Sequence, residues 1–327
     1  MALKNVCPAR LDIMGGSLLL RTPPNADIIL EIATELGVAP SFIEKDWYAV
    51  QVLKLISEYS TDEITPIFSG GTSLSKGYGL IQRFSEDIDF QIITRTPTNR
   101  PGRRAYRQAI IDLVNSHSDF SVDAASIKSQ DNSNFFSFNI SYPQTQELDG
   151  ALRANLQLEM SFKQGALPIE NRAIRSFVAE FIKEGAETNI GCITPVKTAA
   201  DKFSALLWRI IARDRSQELG SRHNDPAIIR HLHDLSALEK IALDDADFPA
   251  TIHEVFAGDS GRGGVDPDLS LDDSIKQVQS IFASEEKEYR TEYTQYVDAM
   301  SYAQDDERID FDAALSSFAK LIAIAKK

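Results

Sequence analysis

A short apolar strand, Thr65 to Phe68, runs into Gly70-Gly71, and fifteen residues separate Gly71 from Asp87-Ile88-Asp89. This combination limits what the chain can be more than any other stretch. The glycine pair ends the strand, and the spacing predicts a helix from Thr72. A second strand then carries the aspartates. A strand repeats every two residues, so Ile88, Phe90 and Ile92 share one face while Asp87, Asp89 and Gln91 share the other. Two carboxylates side by side repel unless a cation lies between them. An oxygen-only pair suits Mg²⁺, or Mn²⁺ in its place, with substrate phosphates completing the shell. Gly70 and Gly71 allow close backbone approach, and the free N–H groups at Thr72 favour an anion. Each feature alone is as easily a tight turn or a solvated strand face. Together they point to nucleotidyl or phosphoryl transfer, and the lack of Gly-Lys-Ser/Thr excludes a P-loop.

Charge narrows the partners. With 48 acidic against 34 basic residues the net charge is −14, so general electrostatics will not hold a nucleic acid. An RNA partner needs a local basic patch, and Arg95, Arg100, Arg103 and Arg104 form a candidate one. No apolar run approaches a membrane span and no secretory pattern opens the chain. Cys7 and Cys192 are far apart, without metal-ligand spacing. The expectation is a cytoplasmic protein with no membrane contact.

Along the chain, residues 1–25 read as an extended arm, Asn25 as the cap of a helix ending at Gly37, and Ser41-Phe-Ile-Glu44 as a capping box. Lys45 and Asp46 read as a solvated face of the following helix. Strand patterns recur near 120–128, 135–142 and 151–162. In the last, Glu159 lies on the polar face, where it is a candidate third metal ligand beside Asp87 and Asp89. From Asn171 an apolar stripe through Ile174, Phe177, Val178 and Phe181 predicts a helix. Thr194-Pro195 opens a long helix to about Arg213, with Lys202, Arg209 and Arg213 on one flank. Asp234 falls at the edge of a later apolar stripe and, if buried, needs a cation, for which Lys202 is the candidate. His231 and His233 read as surface or capping histidines, 244–273 as a loop, and Leu271 to about Tyr302 as one charged helix. Its tyrosines read as packing rather than base stacking.

The segments Ile43-Glu-Lys-Asp-Trp47, Gly70-Gly-Thr-Ser-Leu-Ser-Lys76 and Arg83-Phe-Ser-Glu-Asp-Ile-Asp-Phe90 resemble the AbiEii/AbiGii toxin family, within the polymerase-β-like nucleotidyltransferases. The resemblance continues through Asp201-Lys-Phe-Ser-Ala-Leu206 and Arg230-His-Leu-His-Asp-Leu235. It implies an α+β fold, a small mixed sheet with flanking helices over 26–167 followed by a helical C-terminal region over 168–327. It also implies Mg²⁺-dependent transfer of NMP from NTP, with release of pyrophosphate, in a toxin–antitoxin or phage-abortive system. By position, Asp87, Asp89, Lys202 and Asp234 would be catalytic, and Gly70, Gly71, Thr72, Ser73 and Lys76 would bind nucleotide phosphate. His231 stands where the later motif usually has an acid. The acceptor is RNA such as transfer RNA, or else a protein. A non-catalytic nucleotide-binding regulator is a further alternative. A cognate antitoxin is the expected partner.

Overall fold

The computed structural model describes residues 20–59, 63–163, 165 and 167–326; Cys7 and most of the expected arm lie outside them. In chain order the elements begin with α1 (Ala26–Leu36), α2 (Pro40–Ser57), β1 (Ile64–Ser69), α3 (Gly70–Lys76), β2 (Asp87–Thr94) and α4 (Arg100–Asn115). Next come β3 (Ser121–Val122), β4 (Lys128–Gln130), β5 (Phe135–Ser141), β6 (Leu156–Lys163), β7 (Ile169–Ile174), α5 (Phe177–Phe181) and β8 (Thr188–Ile193). The helices α6 (Pro195–Ile211), α7 (Arg230–Ala237), α8 (Glu239–Asp244), α9 (Phe248–Gly258), α10 (Leu271–Ser284), α11 (Glu286–Tyr296) and α12 (Phe311–Ala325) complete it. The chain folds into two compact units that interleave in sequence. The first is Met1–Phe68, Glu86–Ala166 and Ala173–Gly191; the second is Ser69–Ser85, Leu167–Arg172 and Cys192–Lys327. The sequence alone suggests boundaries after residues 25 and 167, with no interleaving.

In the first unit the strand order is β3-β5-β6-β2-β1-β8, with β4 beside β5. β2 pairs with β6 in parallel and β5 with β6 antiparallel, so the sheet is mixed as expected. Ile88, Phe90 and Ile92 are buried while Asp87, Asp89 and Gln91 are half-buried, as the two-residue period requires. Asn25 caps α1, its side chain accepting from Ile28 N–H at 2.9 Å, and Gly37 at φ 67° ends it.

Two expectations for α2 change. Pro40 starts the helix, so Ser41 and Glu44 lie inside it and make no capping box. Proline suits the first turn because its missing N–H would have no helical partner there. Glu44 instead accepts from the backbone N–H of Thr145 at 2.9 Å. Lys45 and Asp46, expected in solvent, are 5% and 7% exposed. The helix is covered on nearly every side, since Ile43, Val50, Val52 and Leu53 are also fully buried.

The stretch from Asn171 is also corrected. It begins as strand β7, and helix α5 is only five residues long. Ser176 prevents a longer helix: its hydroxyl accepts from Ala179 N–H at 3.1 Å, while Asp46 accepts from Phe177 N–H at 2.8 Å. Lys183, at φ 57°, stops it on the other side.

The second unit is helical around α6. Phe203 and Leu206 of that helix are fully buried with Leu232 and Leu235 of α7 and with Leu74 of α3. The expected loop over 244–273 contains α9, with Pro249 in its first turn. The single charged helix breaks at Glu285, φ −120°, into α10 and α11. Tyr289 and Tyr293 are core residues, packed on Phe282 and Phe311 at 4.8 and 5.6 Å between ring centres. The Tyr293 hydroxyl donates to the Ile309 carbonyl at 2.7 Å, so neither ring is offered to a base. Among the described residues no helix is long and apolar enough to cross a membrane.

Candidate active site

The carboxylates of the first unit are brought together by strand register. β2 and β6 place Asp89 opposite Glu159 and Asp87 opposite Gln157. The next strand continues the row, with Ser137 opposite Glu159. Asp87, Asp89 and Glu159 therefore stand on one polar face at adjacent positions, as the period of each strand predicted. Gln157 donates to Glu159 Oε1 at 2.5 Å, which fixes the orientation of that carboxylate. Among the described residues no group of three or more His, Cys, Asp or Glu is placed so that it could hold a metal ion. The side chains on this face are hard oxygen donors, the ligand type that Mg²⁺ takes in ones and twos.

Beside this face lies a network that the sequence reading did not find. Arg153 Nη2 donates to Asp87 Oδ1 at 2.6 Å, Nη1 to Gln157 at 2.6 Å, and Nε to Glu86 Oε2 at 3.3 Å. Glu86, 6% exposed, also accepts from Lys45 Nζ at 2.5 Å and from the Arg153 backbone N–H at 2.7 Å. Burial pulls the Lys45 ammonium below the usual lysine range, in spite of Glu86. Burial also opposes charge on Arg153, but Asp87 and Glu86 together outweigh it and raise its pKa. One signal was available, since Arg153 is the only Lys or Arg between Lys128 and Lys163. It was hidden because residues 151–155 read as strand and are loop.

In the second unit the Gly-Gly helix starts at Gly70, two residues earlier than predicted. Gly70 has φ +75°, and Gly71 lies so close to its neighbours that a Cβ there would meet Ser85 Oγ at 2.9 Å. Gly70→Ala is expected to destabilise the protein by about 1–2 kcal/mol, the cost of a left-handed backbone for an L-residue, measurable by urea unfolding. The Thr72 hydroxyl donates to the Ser85 carbonyl at 3.3 Å. Ser73 is 1% exposed, beside the Cys192 thiol, whose pKa burial pushes up to about 11. The Ser73 hydroxyl is thus turned into the protein, and as the fourth residue of α3 its N–H belongs to the helical ladder, so Ser73 offers a phosphate neither group. Lys76 is half-buried in the last turn of α3.

Asp234 is the centre of the second unit's charged cluster. It is fully buried, and Lys202 Nζ stands 2.8 Å from it, as the sequence reading nominated. Arg83 grips the same carboxylate through Nε at 2.8 Å and Nη2 at 2.6 Å, a role that its sequence position did not reveal. Antiparallel pairing of Arg83 with Ser301 sets the arginine backbone, and Phe84 N–H donates to the Met300 carbonyl at 2.8 Å. His233, expected at the surface, is buried 3.1 Å from Asp234. Burial alone would raise the Asp234 pKa; Arg83, then Lys202 and His233, hold it well below the carboxylate range. Burial first, then Lys202 and Arg209, keep His231 neutral by lowering its pKa well below normal. The other basic residues on the α6 flank are paired with acids, Arg209 with Asp225 at 2.6 Å and Arg213 with Glu292 at 2.7 Å.

No curated protein matches the chain. Among solved structures, MenT4, a nucleotidyltransferase toxin from Mycobacterium tuberculosis H37Rv, is similar at 15% identity and TM-score 0.47, over 90% of this chain and 98% of that one. The family model described as "Nucleotidyl transferase AbiEii toxin, Type IV TA system" matches residues 55–317, most of the chain. The chain belongs to the AbiEii nucleotidyl transferase toxins of type IV toxin–antitoxin systems.

Proposed function

We propose that this enzyme transfers a nucleoside monophosphate from NTP to an RNA acceptor, transfer RNA among them, and that the reaction needs Mg²⁺ or Mn²⁺. The observation that carries this is the shared face of Asp87, Asp89 and Glu159 on the paired strands β2 and β6. In the reaction an acceptor hydroxyl oxygen forms a bond to the α-phosphorus. The α–β bridging bond breaks, pyrophosphate keeps the electron pair, and the hydroxyl proton passes to solvent. A divalent cation, when bound, neutralises charge that builds on the α-phosphate and polarises the attacking hydroxyl. Asp87 and Asp89 would hold and orient that cation, and Glu159, opposite Asp89 on the neighbouring strand, would act as a further ligand. In the second unit, the backbone N–H groups of Gly70 to Thr72 and the Lys76 ammonium would receive phosphate oxygens. Lys202 would meet phosphate charge, and Asp234, which Arg83 also grips, keeps that lysine in place.

The acceptor is the least constrained part. Arg95, Arg100 and Arg104 are exposed and lie in or next to one loop, a local strip of positive charge for an RNA backbone. A net charge of −14 favours a basic protein acceptor as the second reading. Family membership implies a cognate antitoxin, and with it action in the cytoplasm. Purified protein, each α-labelled NTP and Mg²⁺ should be incubated with total RNA and, separately, with lysate protein. Label in small RNA, lost with EDTA, is the expected outcome. Label confined to protein supports the second reading, and label that persists in EDTA removes the metal from the scheme.

A further inference from the structure

Arg153 is held in a way that a surface arginine does not need. Its side chain is 39% exposed, yet its three guanidinium nitrogens each donate to a different residue: Asp87, Gln157 and Glu86. An ion pair of this exposure adds little to stability, because water screens it. The rest of the network does not depend on that side chain. Glu86 keeps Lys45 Nζ at 2.5 Å and the residue-153 backbone N–H at 2.7 Å whatever side chain stands there. What the guanidinium does is place one positive charge on Asp87 Oδ1, on the polar face that Asp87 shares with Asp89 and Glu159.

We propose that Arg153 is a stand-in cation: it neutralises and orients Asp87 before substrate arrives, and it competes with the divalent metal for that carboxylate, so that metal binding depends on nucleotide. The proposal rests on Asp87 being a metal ligand, as assigned above. Two cations cannot share one carboxylate without mutual repulsion, and inside a partly desolvated site that repulsion is several times its value in water. The bare protein therefore binds metal weakly. A triphosphate adds negative charge and further oxygen ligands, which tips the competition toward the metal. The guanidinium fork, released from Oδ1, keeps Glu86 and Gln157 as acceptors and stays beside the site. Lys45 supports this from behind, because its grip on Glu86 and on the Arg153 carbonyl, at 2.6 Å, fixes the root of the arginine.

The test is Mn²⁺ binding followed by electron paramagnetic resonance, with and without α,β-methylene NTPs, whose α–β bond cannot be cleaved by transfer. Wild type, Arg153→Gln, Arg153→Lys and Asp87→Asn are compared, each checked for folding by thermal melting. Wild type is expected to bind Mn²⁺ weakly alone and at least about tenfold more tightly with nucleotide, a difference of about 1.4 kcal/mol. Arg153→Gln is expected to bind Mn²⁺ alone about tenfold more tightly than wild type and to lose most of the nucleotide dependence. Arg153→Lys keeps the charge and should stay near wild type. Unchanged or weaker Mn²⁺ binding by Arg153→Gln overturns the proposal, as does equal tightening in Arg153→Lys. If Asp87→Asn binds Mn²⁺ as wild type does, the assignment of Asp87 as a ligand fails instead, and the two failures are told apart.

Discussion

Asp87→Ala and Asp89→Ala are each expected to lower transfer of label from α-labelled NTP by about a thousandfold or more, with the fold intact. The size follows from what the carboxylates would hold: a divalent cation supplies several kcal/mol of charge stabilisation, and each 1.4 kcal/mol is a factor of ten in rate. The stability cost should be small. Asp87 is 31% exposed and its partner Arg153 39%, so the arginine left behind can hydrate, and the change should stay within about 1 kcal/mol. Single-turnover assays beside urea melts make the check. Full transfer by either variant would falsify the metal assignment, and Glu159→Gln, one register position away, should lose less than either.

Asp234→Ala should behave in the opposite way, losing stability first. Removing that carboxylate strands Arg83 and Lys202, which are 2% and 7% exposed, without a counter-charge. Breaking a buried pair by deleting one partner typically costs about 3–5 kcal/mol, visible as a lower urea midpoint. Asp225→Ala, which frees the half-exposed Arg209, should cost less than about 1 kcal/mol. Because the Asp234 pKa is depressed in the fold, its contribution is complete above the ordinary aspartate pKa near 4 and is lost as pH falls toward the depressed value. Wild-type stability measured from pH 5 downward should therefore fall more steeply than that of Asp234→Ala. Parallel curves would show that Asp234 is not linked to acid unfolding. Transfer should drop with Asp234→Ala even where the variant remains folded, since Lys202 loses the group that positions it.

These contrasts explain why parts of the site could be read in the sequence and parts could not. Asp87, Asp89 and Glu159 lie in strands with clean two-residue alternation, and alternation alone assigns a face. The Lys202–Asp234 pair followed from the helical period, which put Asp234 at the edge of an apolar stripe, and from the cost of burying an unpaired charge. Arg83, Glu86 and Arg153 had no such handle. They sit between elements, where no period assigns a direction, and their partners are set by pairing across long sequence separations. Lys45 and Asp46 misled for a related reason: charge on a helix usually marks a solvated face, but here each has a buried polar partner. Ser73 shows the limit in the other direction, for it matches the phosphate pattern while its hydroxyl faces the interior.

By itself, then, the sequence determined the local geometry around Gly70 to Asp89: a strand broken by glycines, a following helix, and two aspartates on one face of the next strand. Local sterics and residue period suffice for that. Only the tertiary structure decided which charges meet. It placed Glu159 opposite Asp89, gave Asp234 to Arg83 as well as to Lys202, and set Arg153 on Asp87. Those pairings arise from strand register and from the requirement that every buried charge find its counter-charge, and both are properties of the packed chain rather than of any one segment.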